Sequence, residues 1–234
     1  FITMVGIFLI SILIGIITTG IEAAIESLRK GRSIVIEKNH TVILGWSDKV
    51  FPILTELVIA NNQYSSKFVT VILASKDKIE MEDAILEKIG KTGNTSIICR
   101  TGNPAEIIDL QIVNLKSAKS IIILPPEKSY ADINVIKTVM AILNSGIERS
   151  KPFHIVTEAR YDENLEIIKM IGKDQVIVIL SNRIVSKVIA QTCRQPGLSV
   201  VYSELLSFNG KSHYKDIWRS WYKESSGDEI YFHE

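Results

Sequence analysis

The chain opens with an unbroken apolar run and then switches to a regular alternation of short apolar blocks and amphipathic stretches. From Phe1 to Ile21 no charged residue occurs, and Ile, Leu, Val and Phe dominate. A helix over this run covers roughly 30 Å at about 1.5 Å per residue, the thickness of a bilayer's hydrocarbon core. Arg29, Lys30 and Arg32 come soon after, and the positive-inside rule places everything beyond them in the cytoplasm or an equivalent space. The pattern predicts a transmembrane helix over 1–28 and a linker over 29–39. A signal peptide would have a basic start, a shorter apolar region and a small-residue cleavage site. A buried soluble helix is the other alternative, but it rarely runs this long with no polar residue beyond Ser and Thr.

Beyond the linker, apolar runs predict strands over Thr41–Gly45, Phe68–Ala74, Ser96–Arg100, Ser120–Leu124, Phe153–Glu158 and Val176–Leu180. Helical periodicity predicts helices over Val50–Asn61, Lys78–Ile89, Ala105–Leu115, Asp132–Leu143 and Asn164–Ile171. Continuous apolar strands, as opposed to alternating ones, mean a sheet covered on both faces. Strands and helices in strict succession mean right-handed crossovers and a parallel sheet. The expectation is an α/β chain: a transmembrane helix, then a doubly wound, Rossmann-like domain over 40–181. Residues 182–234 are expected to form crossover helices and the start of a truncated C-terminal lobe. There the helical pattern of Asn182–Arg194 stops at Gln195-Pro196-Gly197 and resumes over Leu198–Leu206.

Local signals refine two helix starts. Asn103-Pro104-Ala105-Glu106 offers a cap residue, a proline at the first helical position and a glutamate two further on. Ser47 or Asp48 is placed to cap the helix that carries Pro52 in its first turn.

Composition then narrows the function classes. The formal net charge is +1, so no global field favours nucleic acid as a partner. The two cysteines, Cys99 and Cys193, form no CxxC, and the four histidines show no metal-ligand spacing. No nucleophile elbow, phosphate loop or zinc-protease motif occurs, so nothing nominates a catalytic residue and the chain is not expected to be an enzyme.

Two sets of candidate site residues remain. The first βα turn is where a dinucleotide's pyrophosphate would rest on helix N-terminal amides. Here it reads Gly45-Trp46-Ser47-Asp48-Lys49-Val50, with one of the three fingerprint glycines. Conventional NAD binding is therefore not expected, and turn-shaping is the better reading of Ser47 and Asp48. Asp77 comes just after the second strand and Arg100 ends the third. Arg100 is a candidate either for an internal ion pair with Asp77 or Asp48, or for an anionic ligand in the crevice. In the apolar run, Ser11, Gly15, Thr18, Thr19, Glu22 and Glu26 recur at helical spacing on one face. Such a stripe either lines water or packs helices together, and Glu26 has Lys30 one turn on as an ion-pair partner. Gly15 and Gly20 are hinge candidates, with helix packing as their alternative role.

The segments SLRKGRS (27–33), EKNHTVILGWSDK (37–49), ICRTGNP (98–104) and CRQPGL (193–198) together resemble the Castor/Pollux family of channels, within the superfamily that carries RCK (regulator of potassium conductance) domains. The resemblance runs along essentially the whole chain. It implies a homotetrameric membrane protein, with 1–28 as the pore-lining inner helix and 40–181 as the N-lobe of a cytosolic gating ring. It also implies K+, Na+ or Ca2+ as permeant cations and Ca2+ as a possible regulatory ligand. The location implied is the plasma membrane for a prokaryotic relative, or the nuclear envelope for a plant one. The family's selectivity filter precedes the inner helix and lies outside this sequence. Two alternatives stay open from the residues alone: a membrane-anchored RCK-like regulatory subunit of a cation transporter, and a membrane-tethered NAD-dependent oxidoreductase.

Overall fold

The structure, a computed structural model, describes residues 6, 10–21, 31–127, 130–149 and 151–208. Six parallel strands form its centre: β1 (His40–Leu44), β2 (Phe68–Ala74), β3 (Thr95–Thr101), β4 (Ala118–Ile123), β5 (Ile155–Ala159) and β6 (Val176–Leu180). Their order, β3-β2-β1-β4-β5-β6, is the doubly wound arrangement read from the sequence. It places the topological switch point between β1 and β4.

Residues 10–21 form the described part of the first helix, α1. The remaining helices are α2 (Val50–Asn62), α3 (Lys78–Lys88), α4 (Ile107–Leu110), α5 (Ala131–Leu143), α6 (Asp162–Gly172), α7 (Ser181–Arg194) and α8 (Leu198–Leu206).

Alternating side chains of each strand divide between two cores. On one face Val42, Leu44, Val71, Leu73, Ile121, Ile123 and Ile155 pack with Val135, Val139 and Ile142 of α5 and Ile168 of α6. On the other, Ile43, Ile72, Ala74 and Cys99 pack with Val50 and Leu54 of α2 and Met81 and Ile85 of α3. Each large aliphatic side chain buried here contributes about 1.5–3 kcal/mol against its exposed state. The second core stops short of the last two strands. Val156 of β5 pairs in register with Ile177 of β6, and Ile177 and Ile179 remain 51% and 42% exposed. Ile184, Val185 and Ile189 of α7 are exposed as well. A parallel sheet is ordinarily covered on both faces; among the described residues an apolar surface is left open at this edge.

Three local expectations are corrected. The helix expected over Ala105–Leu115 is only the short α4 and then 3-10 turns over Gln111–Val113 and Leu115–Ser117. Asn114 between these turns adopts a left-handed conformation, φ 49°, which ends α-helical propagation. Asn103 does not cap a helix. Its Oδ1 accepts from Ala105 N at 3.1 Å and its carbonyl from Glu106 N at 3.0 Å, so it closes a turn before α4 begins. Neither Ser47 nor Asp48 caps α2 with a side chain: Lys49 occupies the cap position, and the Ser47 carbonyl accepts from Val50 N at 3.0 Å.

Among the described residues no helix is long and apolar enough to cross a membrane. Within α1 the side chains of Ile10, Leu13, Ile14, Ile16 and Ile17 are all exposed, and Thr19 Oγ1 donates to the Gly15 carbonyl at 2.9 Å. A Cβ added at Gly15 or Gly20 would meet nothing within 4 Å. Of the stripe, Ser11, Gly15, Thr18 and Thr19 lie on α1, while Glu22 and Glu26 lie outside the described residues.

Candidate functional site: a switch-point cleft and a docked linker

A cleft of about 630 Å³ opens at the carboxyl ends of the strands, at the switch point. Its lining includes Gly45, Trp46, Ser47 and Asp48 after β1, Lys76 after β2, and Glu127 after β4. Gly45 has φ +103°, and a Cβ there would sit 2.2 Å from the Leu124 carbonyl oxygen. The one glycine retained from the dinucleotide fingerprint is thus required by the close approach of β1 and β4, whose ends are joined by Leu124 N donating to Leu44 O at 2.8 Å. Trp46 packs edge-on against Phe51, with ring centroids 5.6 Å apart, and Lys76 Nζ lies 5.2 Å from the Trp46 ring centre. Ser47 is 6% exposed, and its Oγ has no hydrogen-bond partner.

Asp48 projects its carboxylate outward, 3.9 Å from Lys88 Nζ, and its backbone N–H donates to Glu127 Oε1 at 2.9 Å. Lys49 Nζ and Ser181 Oγ both donate to Glu158 Oε1, joining the first turn to the end of β5 and the start of α7. Arg160 braces the loop that carries Glu127, donating to the carbonyls of Pro126 and Glu127 at 3.2 and 3.4 Å. Arg160 is held in turn by Asp132, which is 3% exposed. The Asp132 carboxylate accepts from Arg160 N at 3.0 Å, Tyr161 N at 3.2 Å and Asn164 Nδ2 at 2.8 Å.

Two of the expected crevice residues sit elsewhere. Asp77 caps α3, its Oδ1 accepting from Ile79 N at 2.8 Å and Glu80 N at 3.3 Å. Arg100 pairs with neither Asp77 nor Asp48 and does not line the cleft. Its Nε donates to the Ser33 carbonyl at 2.8 Å and its Nη1 to the Cys99 carbonyl at 2.9 Å. Burial lowers the guanidinium's pKa, partly countered by the field of Glu82.

Arg100 belongs instead to a clamp on the linker. The Gly31 carbonyl accepts from Thr101 N at 3.2 Å, Val35 N donates to Ile112 O at 2.7 Å, and Asn39 N donates to Ser117 O at 2.8 Å. Asn114 Nδ2 donates to the Glu37 carbonyl at 3.0 Å. Val35, 3% exposed, enters the core that also contains Leu110 and Val113. Residues 31–39 are therefore bound along their length to the domain.

Sequence reasoning missed Glu127, Glu158, Asp132 and the linker clamp. Pro125-Pro126 directly before Glu127 was the available signal, since two prolines stiffen a loop and restrict where the next side chain can point. The clamp had none, because its acceptors are backbone carbonyls.

The residues of the cleft do not fit a dinucleotide. Ser47 replaces a glycine at the backbone's point of approach, and Glu127 already occupies the Asp48 amide in the turn leading into α2. Among the described residues no group of three or more His, Cys, Asp or Glu side chains is placed to hold a metal ion.

The chain is thus a Rossmann-like domain in which Glu127 holds an amide of the first βα turn and the N-terminal linker is strapped to the sheet. Residues 182–221 match the family described as "Castor and Pollux, part of voltage-gated ion channel". The chain is 34% identical over 215 residues to the probable ion channel CASTOR of Oryza sativa subsp. japonica, covering 91% of this chain and 24% of that protein. It is 32% identical over 215 residues to the probable ion channel POLLUX of Arabidopsis thaliana, covering 91% and 26%. The chain thus resembles Castor/Pollux proteins along nearly its whole length, and these relatives are named as ion channels, not enzymes. It spans about a quarter of their length. A solved structure of the GsuK channel bound to NAD aligns with a TM-score of 0.46 at 15% identity, over 71% of this chain and 27% of that one.

Proposed function

We propose that this chain is the end of the pore-lining helix and the adjoining gating-ring domain of a ligand-gated cation channel. The observation that carries the reading is the similarity along 91% of the chain to proteins named as ion channels. The apolar run over Phe1–Ile21 fits a membrane span, and the exposure of apolar side chains all around α1 suits a helix whose surroundings are lipid and other helices. Ser11, Gly15, Thr18 and Thr19 form the pore-facing side, with Glu22 and Glu26 as rings of negative charge that concentrate cations at the cytoplasmic mouth. The open surface of β5, β6 and α7 supports assembly of several copies, here a tetramer.

Gating then works through the docked linker. Because 31–39 is held to the sheet, a displacement of the domain is delivered at residue 31 and not absorbed along a slack tether. A ligand bound in the cleft or between the regulatory domains opens or closes the pore only through different affinities for two arrangements of the ring; Ca2+, which finds no ready-made group of ligands among the described residues, is the first to try between domains. The test is planar-bilayer recording of the full-length protein with calcium titrated on the cytoplasmic side. Cation-selective unitary currents that respond to calcium are expected. Absence of currents from protein confirmed to be inserted and assembled would overturn the proposal.

A further inference from the structure

The positive elements of the first βα turn are matched by the chain's own acids. In the turn just ahead of α2, whose dipole favours negative charge at this end, Asp48 N–H, one residue before the cap Lys49, is taken by Glu127 Oε1 at 2.9 Å. The neighbouring cation, Lys49, is taken by Glu158. Glu127 is solvent-exposed, but the loop that carries it is braced. Pro125 and Pro126 stiffen its approach, and Arg160 holds the backbone of its loop through the Pro126 and Glu127 carbonyls. Arg160 is itself set by the buried Asp132.

The rest of the cleft is consistent with a ligand that brings no anion to this end. Its walls include Leu44, Trp46, Ile123 and Val135, with neutral polar groups at Asn134 and Thr138 and one cation, Lys76, that lies over the Trp46 ring and 3.9 Å from Glu80. Ser47 lines the same space with a buried hydroxyl that has no partner, a second polar group at the turn beside the occupied amide. A phosphate arriving here would have to break a charge-assisted hydrogen bond and then lie against the displaced carboxylate.

We propose that Glu127 determines the ligand specificity of this cleft: it stands in for a phosphate at the first βα turn, so that pyrophosphate-bearing ligands are rejected and an uncharged or cationic ligand is admitted. The proposal rests on the reading of the cleft as the ring's ligand site and narrows the ligand's chemical class.

Binding of inorganic pyrophosphate and of NAD to the full-length protein in detergent, measured by isothermal titration calorimetry, tests it. Wild type is compared with Glu127→Ala and with Glu127→Gln, which keeps an acceptor for Asp48 N–H but no charge. Wild type is expected to bind both probes only weakly. Glu127→Ala is expected to bind pyrophosphate at least about tenfold more tightly than wild type, the scale of one charge-assisted hydrogen bond, with Glu127→Gln between them. Wild type binding either probe as tightly as Glu127→Ala would overturn the assignment, as would variants that melt like wild type and gain no affinity. If Glu127→Ala does not fold, Glu127→Gln decides by the same criterion. Currents recorded from the same preparations report separately on the channel reading. A conducting wild type without gain in the variants removes Glu127 from its role and leaves the channel; a silent wild type with gain does the reverse.

Discussion

Replacing Arg100 by methionine tests the linker clamp, because it keeps much of the side chain's length and removes the guanidinium. Two hydrogen bonds from a charged group are lost, to the carbonyls of Ser33 and Cys99. Bonds to charged groups contribute about 1.5–3 kcal/mol each. The side chain is only partly buried, its charged form is disfavoured by burial, and water replaces part of what is lost, so a net cost of about 2 kcal/mol is expected. The backbone bonds of Gly31, Val35, Glu37 and Asn39 remain, so the strap loosens without detaching. Hydrogen exchange on the full-length protein is the assay. The Val35 amide, which donates to Ile112 O, should exchange about 30-fold faster, the equivalent of 2 kcal/mol, while the Ile43 amide in β1 is little changed. Arg100→Lys should recover only part of the protection, since a point charge cannot reproduce the fork. In the channel, a looser strap should flatten the dependence of open probability on ligand. Exchange at Val35 within about twofold of wild type, well below the factor expected for 2 kcal/mol, together with unaltered gating, would refute the clamp.

Three further outcomes are expected. Glu22→Gln should lower single-channel cation current at low salt and have less effect at high salt, because a ring of charge acts through a screened field; unchanged unitary current would remove Glu22 from the pore mouth. Asp132→Ala should cost about 3 kcal/mol or more, since it leaves the donors of Arg160, Tyr161 and Asn164 without their buried acceptor. Asp132→Asn should recover part of that, as read from urea midpoints. The Cys99 thiol is pushed up to about 12 by burial and by Glu82, against Lys78 and Arg100, so it should resist a thiol reagent at pH 8 while the exposed Cys193 reacts. Because its folded pKa lies above the unfolded 9.0, the native state holds that proton more tightly. Stability should be unaffected by this group below pH 9 and fall by about 1.4 kcal/mol per pH unit as pH rises toward 12. Equal labelling of both cysteines in native protein would contradict the burial of Cys99.

The strand runs were legible as short, largely apolar blocks between turn residues, and this held even for β6, whose Ile177 and Ile179 stay exposed on one face. Phe68–Ala74 and Val176–Leu180 agree with the structure residue for residue. The break after Arg194 was legible for a local reason, since Gln195-Pro196-Gly197 cannot continue a helix and Gly197 takes φ 92°. The misread helix after β3 shows the limit of the same reasoning. Its apolar spacing is helical, yet Asn114 turns left-handed, with its side chain bonded to Glu37 of the linker and its carbonyl to Ser117 N. The contact with Glu37 exists only once the linker is docked.

The site divides along the same line. Periodicity, turn chemistry and the missing glycines belong to neighbours in sequence, and they sufficed for the fold class and for the doubt about a dinucleotide. The partners of Asp48, Lys49 and Arg100 come from 79, 109 and 67 residues away, brought in by loops and a linker whose path no local pattern encodes. A charged side chain has a reach of several ångströms and several candidate partners, so its pairing is settled by which loops the sheet order brings together. That is why the sequence could nominate Arg100 for a crevice and only the tertiary structure put it on the linker, whereas the Asp77 cap on α3 is a contact with its own neighbours Ile79 and Glu80, already on offer at the helix start read from Lys78.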